Sequence, residues 1–236
     1  KNIKATLGVK RIDVIIPAYL PTQSHHNLLH RSIKSLENQS YKDFSVVVVL
    51  NGCYTDYDVI KKSVKTDLDL KWITIEGKAS GAIARNAGIK ASNKKFIAQL
   101  DADDQYHPEK LQRQIDFYNA NPEYSFVGTL AADWHAKGDL RDSCYKPGEY
   151  QEHVQIAQGL KNENVMCHGS IMFQREAFLI LQGYNEKYKP GDFWPEYNGK
   201  MWEDWDLWKR AVQHGFRFYN IPERLYYWSV DTSVER

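Results

Sequence analysis

The chain has 236 residues, enough for one sizeable core, and its 31 basic and 30 acidic side chains nearly cancel. That balance lacks the basic excess of a nucleic-acid binder, and the longest apolar run, Val46 to Leu50 with Phe44 before it, is far too short for a membrane span or a signal-peptide core. The chain therefore reads as a non-secreted, cytoplasmic protein with no partner nucleic acid, any membrane association resting on residues outside it. Three scattered cysteines, Cys53, Cys144 and Cys167, form no Cys-x-x-Cys pair, which argues for reduced thiols rather than zinc or disulfides.

In chain order, Ile12 to Ile16 reads as a strand stopped by Pro17. Leu28, Leu29, Ile33 and Leu36 recur at helical spacing over residues 26–39, with Ser24 or Asn27 as the cap. Phe44 to Leu50 is β-branched through its middle, as befits a strand buried on both faces. Asn51-Gly52 turns the chain toward a second helix near Thr55. A strand at Leu70 to Ile75, a helix at Ala79 to Ala91 and a strand at Lys95 to Leu100 follow. Pro108 opens another helix, which Asn121-Pro122 ends.

Strand and helix alternating through short connections predict a mostly parallel sheet covered on both faces, an α/β fold. Beyond about residue 123 the rhythm changes. Tyr124 to Leu130 and Gly169 to Gln174 read as strands, Arg175 to Gln182 as a short helix and Glu203 to His214 as a stronger one. Arg217 to Ile221 and Leu225 to Trp228 read as a small antiparallel pair, and residues 184–201 as a long loop. No linker divides the chain. The expectation is one domain over 1–236, with a nucleotide-binding half at about 11–122 and an acceptor-binding half at about 123–236.

Asp101, Asp103 and Asp104 crowd the exit of the fourth strand, where parallel sheets place their ligands. Close carboxylates suit a hard cation, Mn²⁺ or Mg²⁺, that completes its shell with phosphate oxygens. A solvated acidic turn capping the next helix is the competing reading. A second acidic group, Glu203 and Asp204, opens a helix between Trp202 and Trp205. It is either helix-end charge beside core tryptophans or a carboxylate held beside aromatic surface on which a sugar could stack.

The order Val14-Ile15-Ile16-Pro17-Ala18-Tyr19, Val46 to Asp56, Gly81 to Gly88 with Arg85-Asn86 inside it, and Leu100 to Asp104 resembles the family-2 nucleotide-sugar glycosyltransferases of the GT-A fold. The resemblance runs from about residue 11 to 115 and returns at 167–183 and 202–230. It implies an inverting, metal-dependent transferase that moves a sugar from a nucleoside-diphosphate donor, a UDP-sugar, to a hydroxyl of a glycan or glycoconjugate. By that likeness Pro17, Ala18, Tyr19 and Asn51 hold the base, Arg85 and Asp101 lie at the nucleotide, Asp103 meets ribose or metal, and Asp104 ligates the metal. Asp204 is the implied base, with Glu203 as runner-up, and Trp202, Trp205 and His168 are candidate sugar or acceptor contacts.

Two positions depart from the family pattern. Leu20 stands where Asn is usual, and Leu50-Asn51 where Asp-Asp is common. A non-catalytic nucleotide-sugar or carbohydrate-binding module is the alternative function. A pyrophosphorylase or a dinucleotide-binding dehydrogenase would need a glycine-rich loop where Pro17-Ala18-Tyr19-Leu20-Pro21 stands.

Overall fold

The computed structural model describes residues 11–135, 140–142, 150–187 and 202–230. In chain order the elements are β1 (Ile12–Tyr19), α1 (Gln23–Glu37), β2 (Phe44–Asn51), α2 (Tyr57–Ser63), β3 (Leu70–Ile75), α3 (Gly81–Lys90), β4 (Phe96–Gln99), β5 (Gln105–Tyr106) and α4 (Lys110–Ala120). Then come β6 (Tyr124–Trp134), β7 (Leu140–Asp142), α5 (His153–Gly159), a 3₁₀ turn (His168–Ser170), β8 (Met172–Gln174), α6 (Arg175–Ile180), α7 (Glu203–Gln213) and β9 (Arg217–Ser229). All the described strands join one sheet, ordered β3-β2-β1-β4-β8-β6-β9-β5, with β7 beside β6.

Side chains of alternate polarity of direction build two cores. From β1, Ile12, Val14, Ile16 and Ala18 face one layer with Leu29, Ile33 and Leu36 of α1 and Leu111 and Ile115 of α4. Ile15 of β1 and Val47 and Val49 of β2 face the other, against Ala84 of α3, Phe178 of α6 and Trp208 of α7. The β1, β2, β3 and β4 pairings are parallel, whereas β8 pairs antiparallel with both β4 and β6. The predicted mixed α/β architecture is therefore present. Strand order reverses on the two sides of β1, the position where such sheets open a crevice at their carboxyl ends.

Several expected boundaries move for identifiable reasons. Pro17 does not stop β1, which continues to Tyr19. Pairing with β4 ends at Ile15 and Gln99, so the proline sits where that flank carries no ladder. Helix α1 starts earlier than expected because Thr22, rather than Ser24 or Asn27, is its cap, its hydroxyl accepting from the His25 N–H. The expected C-terminal antiparallel pair is one strand, β9, lying parallel to β6 throughout. A bulge carries the register from Thr129↔Ile221 to Leu130↔Arg224, and Pro222 sits within it. Most of the predicted 184–201 loop lies outside the described residues, as does Cys144. Cys53 and Cys167 are free thiols.

Candidate active site

The carboxyl ends of β1, β2 and β4 open into a cleft of about 310 Å³ whose walls include Pro17, Tyr19, Asn51, Arg85, Asp101 and Asp103. Tyr19 is exposed, with the Lys78 ammonium 4.6 Å from its ring centre. Asn51 is buried at the floor, its Oδ1 accepting from the Ala79 N–H at 3.2 Å. Gly52 beside it has φ of +54°, and a Cβ there would collide with the Tyr19 ring, so this turn requires glycine. Ala18, expected to contact the base, instead points into the core with no exposed surface, because alternation along β1 places it on the face opposite its neighbours.

The three aspartates after β4 have three different employments. Asp101 takes the Arg85 Nη2 at 2.7 Å. Asp104 is buried, one oxygen accepting from the Tyr226 hydroxyl at 2.5 Å and the other from the Ser229 N–H at 2.7 Å. Burial raises the Asp104 pKa well above the carboxylate range, and Asp103 and Asp101 add to the rise, against the two hydrogen bonds. Asp103 remains partly exposed in the cleft. Helix α1 braces the turn from behind. Arg31 donates to the Asp103 carbonyl at 2.7 Å, Ser32 to the Ala102 carbonyl at 2.8 Å, and the Ser35 hydroxyl accepts from the Tyr106 N–H at 3.1 Å.

Arg85 also reaches Glu203 through Nη1 at 3.0 Å, so one nearly buried guanidinium ties the acidic turn to the start of α7. Burial opposes its charge, but the Asp101 and Glu203 carboxylates outweigh that and raise its pKa. Asp204, the next residue, meets no Lys or Arg within salt-bridge distance among the described residues; the His168 ring lies 3.9 Å away. Its Oδ2 accepts from Asn164 Nδ2 at 2.7 Å and its Oδ1 from the Trp205 N–H at 2.8 Å. Burial first, then the Glu203 charge, push its pKa up to about 6.

A second cavity, about 420 Å³, holds Asp204, Glu203, His168, Asn164 and Trp202 and shares Asp101, Asp104 and Trp228 with the cleft. Trp202 is half exposed beside it. Trp205, expected to contact sugar, is instead a core residue whose indole N–H donates to the Leu160 carbonyl at 2.8 Å. Helical spacing explains the difference, since Trp205 falls on the same stripe as Trp208 while Trp202 precedes the helix. His168 lines the cavity, but its Nε2 is held by the Tyr184 hydroxyl at 2.8 Å. Burial and Arg85 lower its pKa to about 3, so the ring is neutral.

The sequence reading missed Arg31, Ser32, Tyr226 and Asn164. None sits in a motif, and each reaches the site only through tertiary packing. Among the described residues no three His, Cys, Asp or Glu side chains converge as a ready-made metal cage. Oxygen donors at Asp101 and Asp103 suit a hard cation that draws its remaining ligands from elsewhere.

The model of the family described as "Glycosyl transferase family 2" matches residues 13–180, more than half the chain. The chain belongs to glycosyl transferase family 2. Among curated relatives, it is 28% identical over 200 residues to the putative glycosyltransferase EpsE of Bacillus subtilis, covering 84% of this chain and 66% of that protein. It is 27% identical over 220 residues to the O-antigen biosynthesis glycosyltransferase WbnJ of Escherichia coli, covering 91% and 79%. In three dimensions it resembles S. aureus TarS 1–349 solved with UDP, with a TM-score of 0.69, 18% identity, and 93% of this chain over 60% of that one. The mannosyltransferase PcManGT of Pyrobaculum calidifontis, solved with GDP-Man and Mn²⁺, gives a TM-score of 0.68 at 16% identity, covering 94% and 58%. These structural likenesses establish the GT-A fold. The chain spans only about two thirds of EpsE and less of TarS 1–349. No helix among the described residues is long and apolar enough to cross a membrane.

Proposed function

We propose that this chain is an inverting glycosyltransferase that moves a sugar from a UDP-sugar to a hydroxyl of a glycan or glycoconjugate acceptor. The observation that carries this reading is Asp204, a buried carboxylate with a raised pKa, in a cavity adjoining the cleft at Asp101 and Asp104. Residues up to about 122 serve the donor, and the remainder the acceptor.

The nucleotide occupies the cleft, with its base against Tyr19 and Asn51 and its diphosphate toward the aspartate turn. TarS, solved with UDP and with UDP-GlcNAc, supports a uridine donor. Mn²⁺ or Mg²⁺ suits the site, held by Asp103 with Asp101 beside it, and when bound supplies positive charge to the departing diphosphate. Asp104 fits a bracing role better than direct ligation, because both of its oxygens already accept hydrogen bonds from β9. Arg85 holds the two acidic groups at a fixed separation.

Asp204 supplies the base. The acceptor oxygen attacks the anomeric carbon from the second cavity, its O–H proton passing to the Asp204 carboxylate as the new C–O bond forms. The bond from that carbon to the diphosphate oxygen breaks, and its electron pair leaves with the nucleoside diphosphate. A single displacement of this kind inverts the anomeric centre. A pKa near 6 keeps the group ionised at neutral pH while making it a stronger base than an exposed aspartate. Glu203 is neutralised by Arg85, which favours Asp204 for this part.

The test is Asp204→Asn. Sugar transfer should fall by roughly 10²–10⁴-fold with UDP affinity unchanged. Wild-type turnover in this variant would remove Asp204 from the mechanism.

A further inference from the structure

Asn164 belongs to no motif and touches no part of the nucleotide cleft, yet it makes the shortest side-chain hydrogen bond to Asp204, Nδ2 to Oδ2 at 2.7 Å. The amide cannot be turned around without loss, because its Oδ1 accepts from the Met166 N–H at 3.3 Å. Asn164 also stands in the wall between the cavity containing Asp204 and a neighbouring one of about 360 Å³ that includes Tyr150 and Glu163.

We infer that Asn164 is a positioning residue for the transfer reaction, fixing the Asp204 carboxylate for proton abstraction. The inference rests on the reading of Asp204 as the base. With Oδ1 held by the Trp205 N–H and Oδ2 by Asn164, the carboxylate cannot rotate freely where it lines the cavity. A neutral N–H donor also favours the ionised form. It offsets part of the rise produced by burial and by Glu203, while Arg85 contributes in the same direction as Asn164. Without Asn164, a larger fraction of Asp204 would hold its proton on the acid side and could not accept another. Of the other titratable groups at this cavity, His168, 3.9 Å away, is neutral and does not change charge above about pH 4, Glu203 is paired with Arg85, and Asp104 is held above its ordinary pKa by burial. The Asp204 response is therefore read from its own carboxyl signal.

Asn164→Leu keeps the side-chain size and removes the donor. Asn164→Ser, which retains a hydroxyl, serves as a second and milder variant. In protein labelled with ¹³C at aspartate carboxyls, the Asp204 signal, assigned by its absence from Asp204→Asn, should titrate about one pH unit higher in Asn164→Leu, with Asn164→Ser between. UDP release from UDP-N-acetylglucosamine should show its acid limb displaced by the same amount. The variant would then be about tenfold slower than wild type at pH 5 and near parity at pH 8. Unmoved midpoints in both variants would overturn the inference. Normal turnover by Asp204→Asn would instead remove the base itself, a failure told apart because the carboxyl titration of the Asn164 variants needs no substrate.

Discussion

The two acidic constellations at this site solve the same problem differently. After β4, like charges are accommodated by the fold: Asp101 is paired with Arg85, Asp104 is enclosed by the Tyr226 hydroxyl and the Ser229 N–H, and Asp103 is left in the cleft. At the start of α7, Arg85 takes Glu203, and Asp204 receives neutral donors only, from Asn164 and the Trp205 backbone. One arginine thus takes Asp101 and Glu203, while Asp204 is held by neutral hydrogen-bond donors. Asp104 braces the turn on neutral donors alone, so burial and hydrogen bonding set a carboxylate's part as much as the cation does.

Removing that shared cation should have one of the two largest effects. Arg85→Met removes the cation that Asp101 and Glu203 share. Stability should drop by about 3 kcal/mol, somewhat below the usual figure for a fully buried pair because Asp101 is one-third exposed. Urea unfolding measures it, and a loss under 1 kcal/mol would mean the tie is incidental. The tryptophans separate next. Trp205→Ala should cost about 3–5 kcal/mol as a core truncation. Trp202→Ala should change stability by less than about 0.5 kcal/mol. Equal melting temperatures for the two variants would contradict the placement of Trp205.

Titration sharpens the contrast further. Asp204 has a folded pKa of about 6 against 3.8 unfolded, so the folded state binds the extra proton between those values. Its ionisation costs stability as pH rises through that window, and the cost persists above pH 6. Asp204→Asn should therefore raise stability at pH 7 by roughly 1–3 kcal/mol while it destroys activity. His168 has the opposite sign. Its folded pKa is about 3 against 6.5 unfolded, so stability is lost as pH falls below 6.5. His168→Gln should flatten the acid side of the stability profile, read from melting temperatures between pH 4 and 7. The brace of the aspartate turn should matter less than either buried group: Tyr226→Phe removes one donor from Asp104 and should cost about 1–2 kcal/mol.

How far the sequence reaches follows from which forces are local. The β1–β2–β3–β4 ladder with its helices was readable because alternation and helical spacing are written in runs such as Val46 to Leu50 and Leu29 to Leu36. The acidic turn was readable because three aspartates at a strand exit are conspicuous. Their separate partners were not, since Tyr226 and Ser229 lie more than a hundred residues downstream and Arg31 reaches in from α1. The antiparallel pair expected around Pro222 failed for a related reason. A proline in a strand pattern reads as a turn, and only the β6 partner shows that it is a bulge. Ala18 and Trp205 were placed by motif proximity, whereas the faces of β1 and α7 turn both inward.

The proposed donor site requires the aspartate turn to grip a diphosphate through a shared cation. Calorimetric titration of UDP into the protein with and without 5 mM-scale Mn²⁺, on the order of a large excess over a weak site, tests this directly. Binding should tighten at least about tenfold with the metal in the wild-type chain and should lose that gain in Asp103→Asn. UDP affinity that is the same with and without Mn²⁺ would contradict it.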